Sequence, residues 1–324
     1  MTTPVPAAQR LDTRTIGWIE AALFAFLIAI LSTAYTMAAA RGVHTVVFIL
    51  YSLLISATSL LAFTGIGANA RAVIFTRETW IIGFGNIVVE GGYAMLLGYV
   101  TPAEGSLMIR LSIPITLLIG FLAYGRRPAA LAWTGAALVG AVVALLLARV
   151  DRSVALPVIG SAFACALAVG IRAFASEFHK WNRAASTIPE KIRVTALVTL
   201  VTAATGLVTV GGLMLAVGFG LLPPTPLLPT PEALTHLPTI LFALFVGGAL
   251  FTGMTYLSFS CVLKIKSENF IATSAFMPVA ALLVQIPAAA VGLIALPPFD
   301  WRLLPAMLAA IVGVLMIIWA NRRA

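Results

Sequence analysis

Residues 104–124 read EGSLMIRLSIPITLLIGFLAY, and 164 positions later residues 268–288 read ENFIATSAFMPVAALLVQIPA. Each stretch opens on a glutamate, Glu104 or Glu268, and each carries a proline deep in an apolar run, Pro114 or Pro278. Each is also long and apolar enough to cross about 30 Å of hydrocarbon as a helix, which takes about 20 residues. The same shift places Gly83 on Gly247. With nine more residues inserted near Pro297 and Pro298, Gly140 meets Gly313 and Arg149 meets Arg322. The chain therefore reads as two copies of one unit, matched over the last three apolar runs of each half. The first run of each half occupies the corresponding place without a residue match.

Composition extends this reading to the whole chain. Of the 324 residues, 61% are apolar and 10% charged, and the mean hydropathy is +1.07. That excludes a water-soluble fold, and no polar stretch is long enough to form a soluble catalytic domain. A 20-residue ruler gives ten spans: 16–40, 45–67, 79–99, 103–124, 129–148, 155–178, 192–218, 237–263, 267–292 and 301–320. The runs are continuously apolar, without the period-two alternation of a lipid-facing barrel. The first span carries Glu20 and exceeds the usual length of a signal-peptide core, so it is expected to be an uncleaved span rather than a leader. Cys165 and Cys261 lie in apolar runs and read as small buried hydrophobes. The segment from Gly218 to His236 holds Pro223, Pro224, Pro226, Pro229 and Pro231 and reads as an irregular connector.

Five spans per half is an odd number, so the second copy enters the membrane in the opposite sense. The expected fold is an all-α membrane protein of ten transmembrane helices, arranged as two inverted five-helix repeats around a central cavity. A short N-terminal tail, 1–15, precedes the first repeat, 16–150, and the second repeat is 151–324. With the N-terminus in the cytoplasm, fourteen of the twenty Lys and Arg fall on that side, including Arg10, Arg126, Arg322 and Arg323. Arg41, Arg149, Arg152 and Arg302 fall outside, and Arg110 and Arg172 lie within spans. The positive-inside rule then predicts that both termini are cytoplasmic.

Ionisable groups within the hydrocarbon are costly and mark function or pairing. Glu90 and Arg110 each lie about nine residues from the same side, roughly 13 Å down at 1.5 Å per residue. Two readings stand: an ion pair bracing adjacent helices, or a shared role in substrate binding. Arg172 lies deeper in the sixth span. It either holds a substrate carboxylate or phosphate with its planar fork of donors, or snorkels, or pairs with Glu177. Asn86, Glu90 and Tyr93 fall at i, i+4 and i+7 on one helix face. Tyr35 of the first span, Thr252 and Tyr256 of the eighth and Ser274 of the ninth complete the candidate substrate-binding set, with interhelical packing as the competing role for each. Pro114 and Pro278 are the hinge candidates.

The five-plus-five layout, with Arg110-Leu111-Ser112-Ile113-Pro114 answered by Ser274-Ala275-Phe276-Met277-Pro278 and a glycine-rich last helix in each half, resembles the drug/metabolite transporter superfamily in its ten-helix EamA-type form. The chain is also similar in overall look to the YddG-type exporters of aromatic amino acids. The resemblance implies a small-metabolite carrier, often an exporter, whose two halves line a cavity. One departure is that Tyr124-Gly125-Arg126-Arg127-Pro128 lacks an acidic residue, which puts in doubt any salt bridge assumed for that loop.

The expected function is a secondary transporter of a bacterial inner membrane, moving amino acids, chiefly aromatic and other apolar ones, by alternating access. A sugar-phosphate or nucleotide-sugar translocator and a channel are the alternatives. Catalysis is not expected: the three histidines fall at or beyond span ends, no hydrolase or metalloprotease motif occurs, and no two carboxylates share a span face at mid-depth. No cofactor or metal is implied. The expected partners are a small-molecule substrate and the lipid bilayer, with no nucleic acid, and the chain is compatible with a monomer.

Overall fold

The computed structural model describes residues 12–225, 228–295 and 301–323. Ten helices are long and apolar enough to cross a membrane: α1 (Thr13–Ala38), α2 (Thr45–Thr64), α3 (Arg77–Leu97), α4 (Ala103–Tyr124), α5 (Ala130–Leu147), α6 (Ala155–Phe178), α7 (Ile188–Gly218), α8 (Leu237–Ile265), α9 (Ser267–Ala290) and α10 (Trp301–Asn321). Every regular element among the described residues is helical, so the chain is a multi-pass helical membrane protein. Arg10, Pro226, Pro297, Pro298 and the side chains of Arg322 and Arg323 lie outside the described residues.

Most spans end where the apolar runs end. α7 begins four residues before the expected Ile192. Thr187 caps it by accepting the Glu190 N–H, Glu190 reaches back to the Thr187 N–H, and a proline occupies the first turn. This capping box outweighs the charges of Lys191 and Arg193 that marked the expected boundary.

α4 and α9 share one internal irregularity. Each breaks into a 3-10 turn, Ile109–Leu111 in α4 and Ser274–Phe276 in α9, and then resumes as α-helix. The prolines explain it. Pro114 and Pro278 lack the N–H groups that would close α-bonds to the carbonyls of Arg110 and Ser274. The chain tightens just ahead of them into i→i+3 bonds, from the Ser112 N–H to Ile109 and from the Met277 N–H to Ser274. The eighth span contains a π-helical turn at Ala243–Gly247.

The packing partners follow a rule. α3 lies along α6, and α8 lies along α1. α7 packs on both α2 and α3, while α2 packs on both α7 and α8. The second part of α4 packs on α6, the second part of α9 packs on α1, and α5 packs on α10. Advancing every helix number by five, with α6–α10 returning to α1–α5, maps this set of contacts onto itself. Glycine makes two of the close approaches possible. A Cβ on Gly135 of α5 would lie 2.2 Å from the Gly313 carbonyl of α10, and one on Gly247 of α8 would lie 1.8 Å from the Ser52 hydroxyl of α2. Gly313 thus meets Gly135, whereas its partner in the sequence repeat, Gly140, faces open space.

The end of the bundle where α1 starts is called the basic end below. The largest apolar core lies toward it, joining Phe24, Leu117, Val139, Val262, Phe270 and Ile317. α9 is gripped there: Ser267 and Asn269–Thr273 are buried, whereas no residue of Met277–Ala290 is fully buried. The proline-rich connector includes a short helix at Pro231–Thr235, tied to α2 by the Tyr51 hydroxyl, which donates to the Leu234 carbonyl at 2.8 Å. Both cysteines are free and buried, as expected.

Candidate functional site

Two glycines on α3, seven residues apart, allow α6 to lie close. A Cβ on Gly85 would meet the Arg172 Cβ at 3.2 Å, and one on Gly92 would meet the Cys165 sulfur at 2.6 Å. The Cys165 thiol donates to the Val89 carbonyl at 3.5 Å. This approach brings Arg172 onto the polar face of α3, where its Nη1 donates to Asn86 Oδ1. Asn86 in turn donates to the Thr202 hydroxyl of α7 at 3.5 Å.

Glu90, one turn further along α3, lies within electrostatic reach of Arg172 and faces Tyr35 of α1. It makes no ion pair among the described residues. The Tyr35 hydroxyl is buried, lies within hydrogen-bond reach of Glu90 and has no other partner among the described residues; its ring sits edge-on to Phe48. Tyr93 completes the face and is within reach of both Glu90 and Arg110. Tyr35, Asn86, Glu90, Tyr93 and Arg172 are all half-buried.

The ion-pair reading for Glu90 and Arg110 is corrected. Arg110 is 5% exposed and folds back along its own helix. Its Nε donates to the Ser106 carbonyl at 2.9 Å, and Nη2 reaches the Ser106 hydroxyl at 3.3 Å and the Met277 sulfur of α9 at 3.5 Å. Depth along the spans put the two charges at one level. The 3-10 turn at Ile109–Leu111, however, sets the azimuth of Arg110 and directs it toward Met277 of α9. Arg172 likewise neither snorkels nor pairs with Glu177, because Asn86 holds it and Glu177 is engaged elsewhere.

The remaining candidates lie apart. Tyr256 lies within reach of Ser260 and Glu20, toward the basic end. Thr252 lends only its carbonyl, to the Thr255 hydroxyl at 3.3 Å. Ser274 sits in the 3-10 turn of α9 with its hydroxyl buried and without a partner.

A second polar cluster joins helix ends at the basic end. Gly125 (φ 62) ends α4 in the left-handed conformation that glycine adopts at low cost. Arg126, next in the chain, pairs with Glu177 at the end of α6 and Glu268 at the start of α9. The doubts over this loop are thereby resolved, since its basic residue finds its acids on other helices. The guanidinium also lies over Phe174 and Phe178, at 5.1 and 5.6 Å, and Tyr124 stacks on both rings at 4.6 Å. Burial opposes the charge on Arg126, but the two carboxylates outweigh it and raise its pKa. Glu177 also accepts the Ser267 N–H and hydroxyl at 2.9 and 2.7 Å. Lys264 of α8 pairs with Glu20 of α1 and donates to Ser260 at 2.9 Å. Arg126 with Glu177 and Glu268, and Glu20 with Lys264, each join one half of the sequence to the other.

The fold and site together define a membrane protein of ten apolar helices, with charged groups between the helices that form no ion pair among the described residues and an ion-paired cluster at one end. No family model matches the chain, and neither does any curated protein. Among solved structures 27 chains match. One, described only as "Crystal structure of protein", has a TM-score of 0.64 and 19% identity, covering 96% of this chain and 100% of that chain. At that identity the likeness concerns the fold alone.

Proposed function

We propose that the chain is a secondary transporter of the ten-helix drug/metabolite type. It moves small metabolites, most readily amino acids with aromatic or apolar side chains, by alternating access and in the export direction. The observation that carries this reading is that groups from both halves converge on one set of unpaired charges: Tyr35, Glu90 and Arg110 from the first, Arg172, Thr202 and Met277 from the second. Site residues between two halves are what a carrier needs.

The contact pattern that survives a five-helix advance supports two inverted repeats, 16–150 and 151–324, around a central cavity. The 3-10 turns ahead of Pro114 and Pro278 support hinges there, because each span is already two half-helices joined by a softer turn. The excess of basic residues at the basic end supports a cytoplasmic location for that end and for both termini, in a bacterial inner membrane. In this conformation the cytoplasmic side is the closed one.

The polar set favours amino acids over phosphorylated solutes. Arg172 is engaged by Asn86 and lies near Glu90, which leaves Arg110 as the cation in the set with no carboxylate near it among the described residues. A doubly charged phosphate would call for more. Enzymatic activity is not proposed.

Counterflow in proteoliposomes loaded with phenylalanine tests the reading. Labelled aromatic and aliphatic amino acids are expected to exchange, and a labelled sugar phosphate is not. Exchange of the sugar phosphate with no flux of any amino acid would overturn the choice of substrate.

A further inference from the structure

From the charges that form no ion pair among the described residues, we infer that the site takes a zwitterion in one orientation, with the substrate carboxylate on Arg110 and the substrate ammonium held by Glu90 and Tyr35. The inference rests on the transporter reading and adds which residue reads which end of the substrate.

The carboxylate pole follows from Arg110. Its guanidinium is more than nine-tenths buried, and such a charge ordinarily has a carboxylate beside it. Its neighbours are instead a carbonyl, a hydroxyl and a thioether sulfur, all neutral. Those contacts occupy Nε and Nη2, while Nη1 donates to nothing among the described residues. A guanidinium held on one edge with its other nitrogen free is set to bind a carboxylate oxygen. The Ser106 and Met277 contacts fix the plane of the group, so little side-chain freedom remains to be lost on binding.

The ammonium pole follows from Glu90. Its carboxylate has Arg172 near it but in no direct ion pair, because the Arg172 Nη1 is bonded to Asn86. Across from it the buried Tyr35 hydroxyl lies within hydrogen-bond reach of that carboxylate and has no other partner among the described residues. A carboxylate and a phenolic oxygen facing one another can both accept from an ammonium, which carries three donors. Tyr93 is within electrostatic reach of both charges. Its ring offers an apolar wall to whatever joins the two ends of the ligand. Glu90 and Arg110 form no ion pair with each other, and on this inference a ligand carrying both charges satisfies both.

The test is equilibrium binding to the detergent-solubilised full chain of three probes of nearly one shape: phenylalanine, phenylalaninamide, which lacks the carboxylate, and 3-phenylpropanoate, which lacks the ammonium. A hydrogen bond to a charged group supports a preference of about 10- to 100-fold, so wild-type protein should bind phenylalanine tighter than either analogue by at least about tenfold. Arg110→Gln should erase the preference over the amide while keeping that over the propanoate. Glu90→Gln should do the reverse. Equal binding of phenylalanine and either analogue by wild-type protein overturns that pole, and this arm needs no variant to fold. Loss of affinity for all three probes in equal ratio in a monodisperse variant also overturns the assignment, since it marks a structural role. If wild-type protein binds no amino acid and carries none in proteoliposomes, the transporter reading itself falls. Binding without discrimination leaves that reading standing and removes this one.

Discussion

Replacing Arg126 by glutamine removes the group that joins the ends of α4, α6 and α9. The two carboxylates it pairs are nearly buried, with side-chain exposures of 12% for Glu177 and 10% for Glu268. Removing one partner of a buried pair costs about 3–5 kcal/mol, because the other charge is left unpaired. Glu177 keeps its two bonds to Ser267, so most of the loss falls on Glu268 and is nearer 2 kcal/mol. The contacts over Phe174 and Phe178 add about 1 kcal/mol. On the transporter reading, a total of about 3 kcal/mol, lost only from the conformation in which this end is closed, shifts the open-to-closed ratio about 100-fold. The reporter is a cysteine at Ser176, a buried position of α6 beside Glu177, with Cys165 and Cys261 replaced by alanine. Its labelling by a water-soluble maleimide should rise by one to two orders of magnitude in Arg126→Gln and by less in Arg126→Lys, which keeps the charge. Equal labelling rates in all three proteins would refute the clamp, and with it the assignment of this end as a gate.

Two further outcomes are expected. His179, between α6 and α7, is fully buried: its Nδ1 accepts the Asn182 N–H at 3.3 Å and its Nε2 meets the Thr79 hydroxyl at 2.9 Å, while that hydroxyl donates to Val73. The network needs a neutral ring protonated on Nε2. Burial lowers its pKa from 6.5 to about 4, with Glu78 opposing and Lys180 assisting. Above pH 6.5 the ring is neutral folded or unfolded. Below it the unfolded chain takes up the proton first, so stability falls as pH drops, by about 2 kcal/mol at pH 5, and levels off near pH 4. Thermal unfolding at pH 7.5 and pH 5 should therefore differ more in wild type than in His179→Gln, and equal differences would remove the assignment. In the membrane core, Gly135→Ala should lower thermal stability by about 1–3 kcal/mol or prevent folding, because its Cβ would strike the Gly313 carbonyl. Gly140→Ala, on the same helix but facing open space, should be neutral or stabilising by up to about 1 kcal/mol; the opposite order would contradict the α5–α10 packing.

The spans were legible because a hydrocarbon slab imposes one length on every apolar run, and the two breaks because proline removes a specific bond wherever it stands. The face carrying Asn86, Glu90 and Tyr93 was legible from helical spacing alone. The partner of Arg110 was not, since three residues of 3-10 turn change its azimuth while leaving its depth intact. The clamp was hidden for another reason. Arg126 pairs with residues 51 and 142 positions away, and in the sequence it counted only as one of many charges marking a side. Gly85 and Gly92 carry a readable seven-residue spacing, but it acquires meaning only once α6 is known to lie against them. The start of α7 was readable in principle, since Thr187 and Glu190 form a capping box with the usual spacing.

The two polar clusters differ in how completely they are satisfied, and on the transporter reading that difference supplies the driving term. At the basic end each buried carboxylate has a cation: Glu177 and Glu268 share Arg126, and Glu20 has Lys264. Between the helices Glu90 and Arg110 form no ion pair among the described residues, and the Ser274 hydroxyl has no partner there. Opening the basic end costs about 3 kcal/mol at Arg126 alone. A substrate binding with a dissociation constant of 1 mM contributes about 4 kcal/mol at the standard state, so a weak ligand that satisfied the central groups better with the clamp open would be enough to offset that cost. An apolar solute of the same size makes no bonds to Arg110 or Glu90 and has no means of supplying the difference. The carrier would then be selective in which ligands move it as well as in which ligands bind.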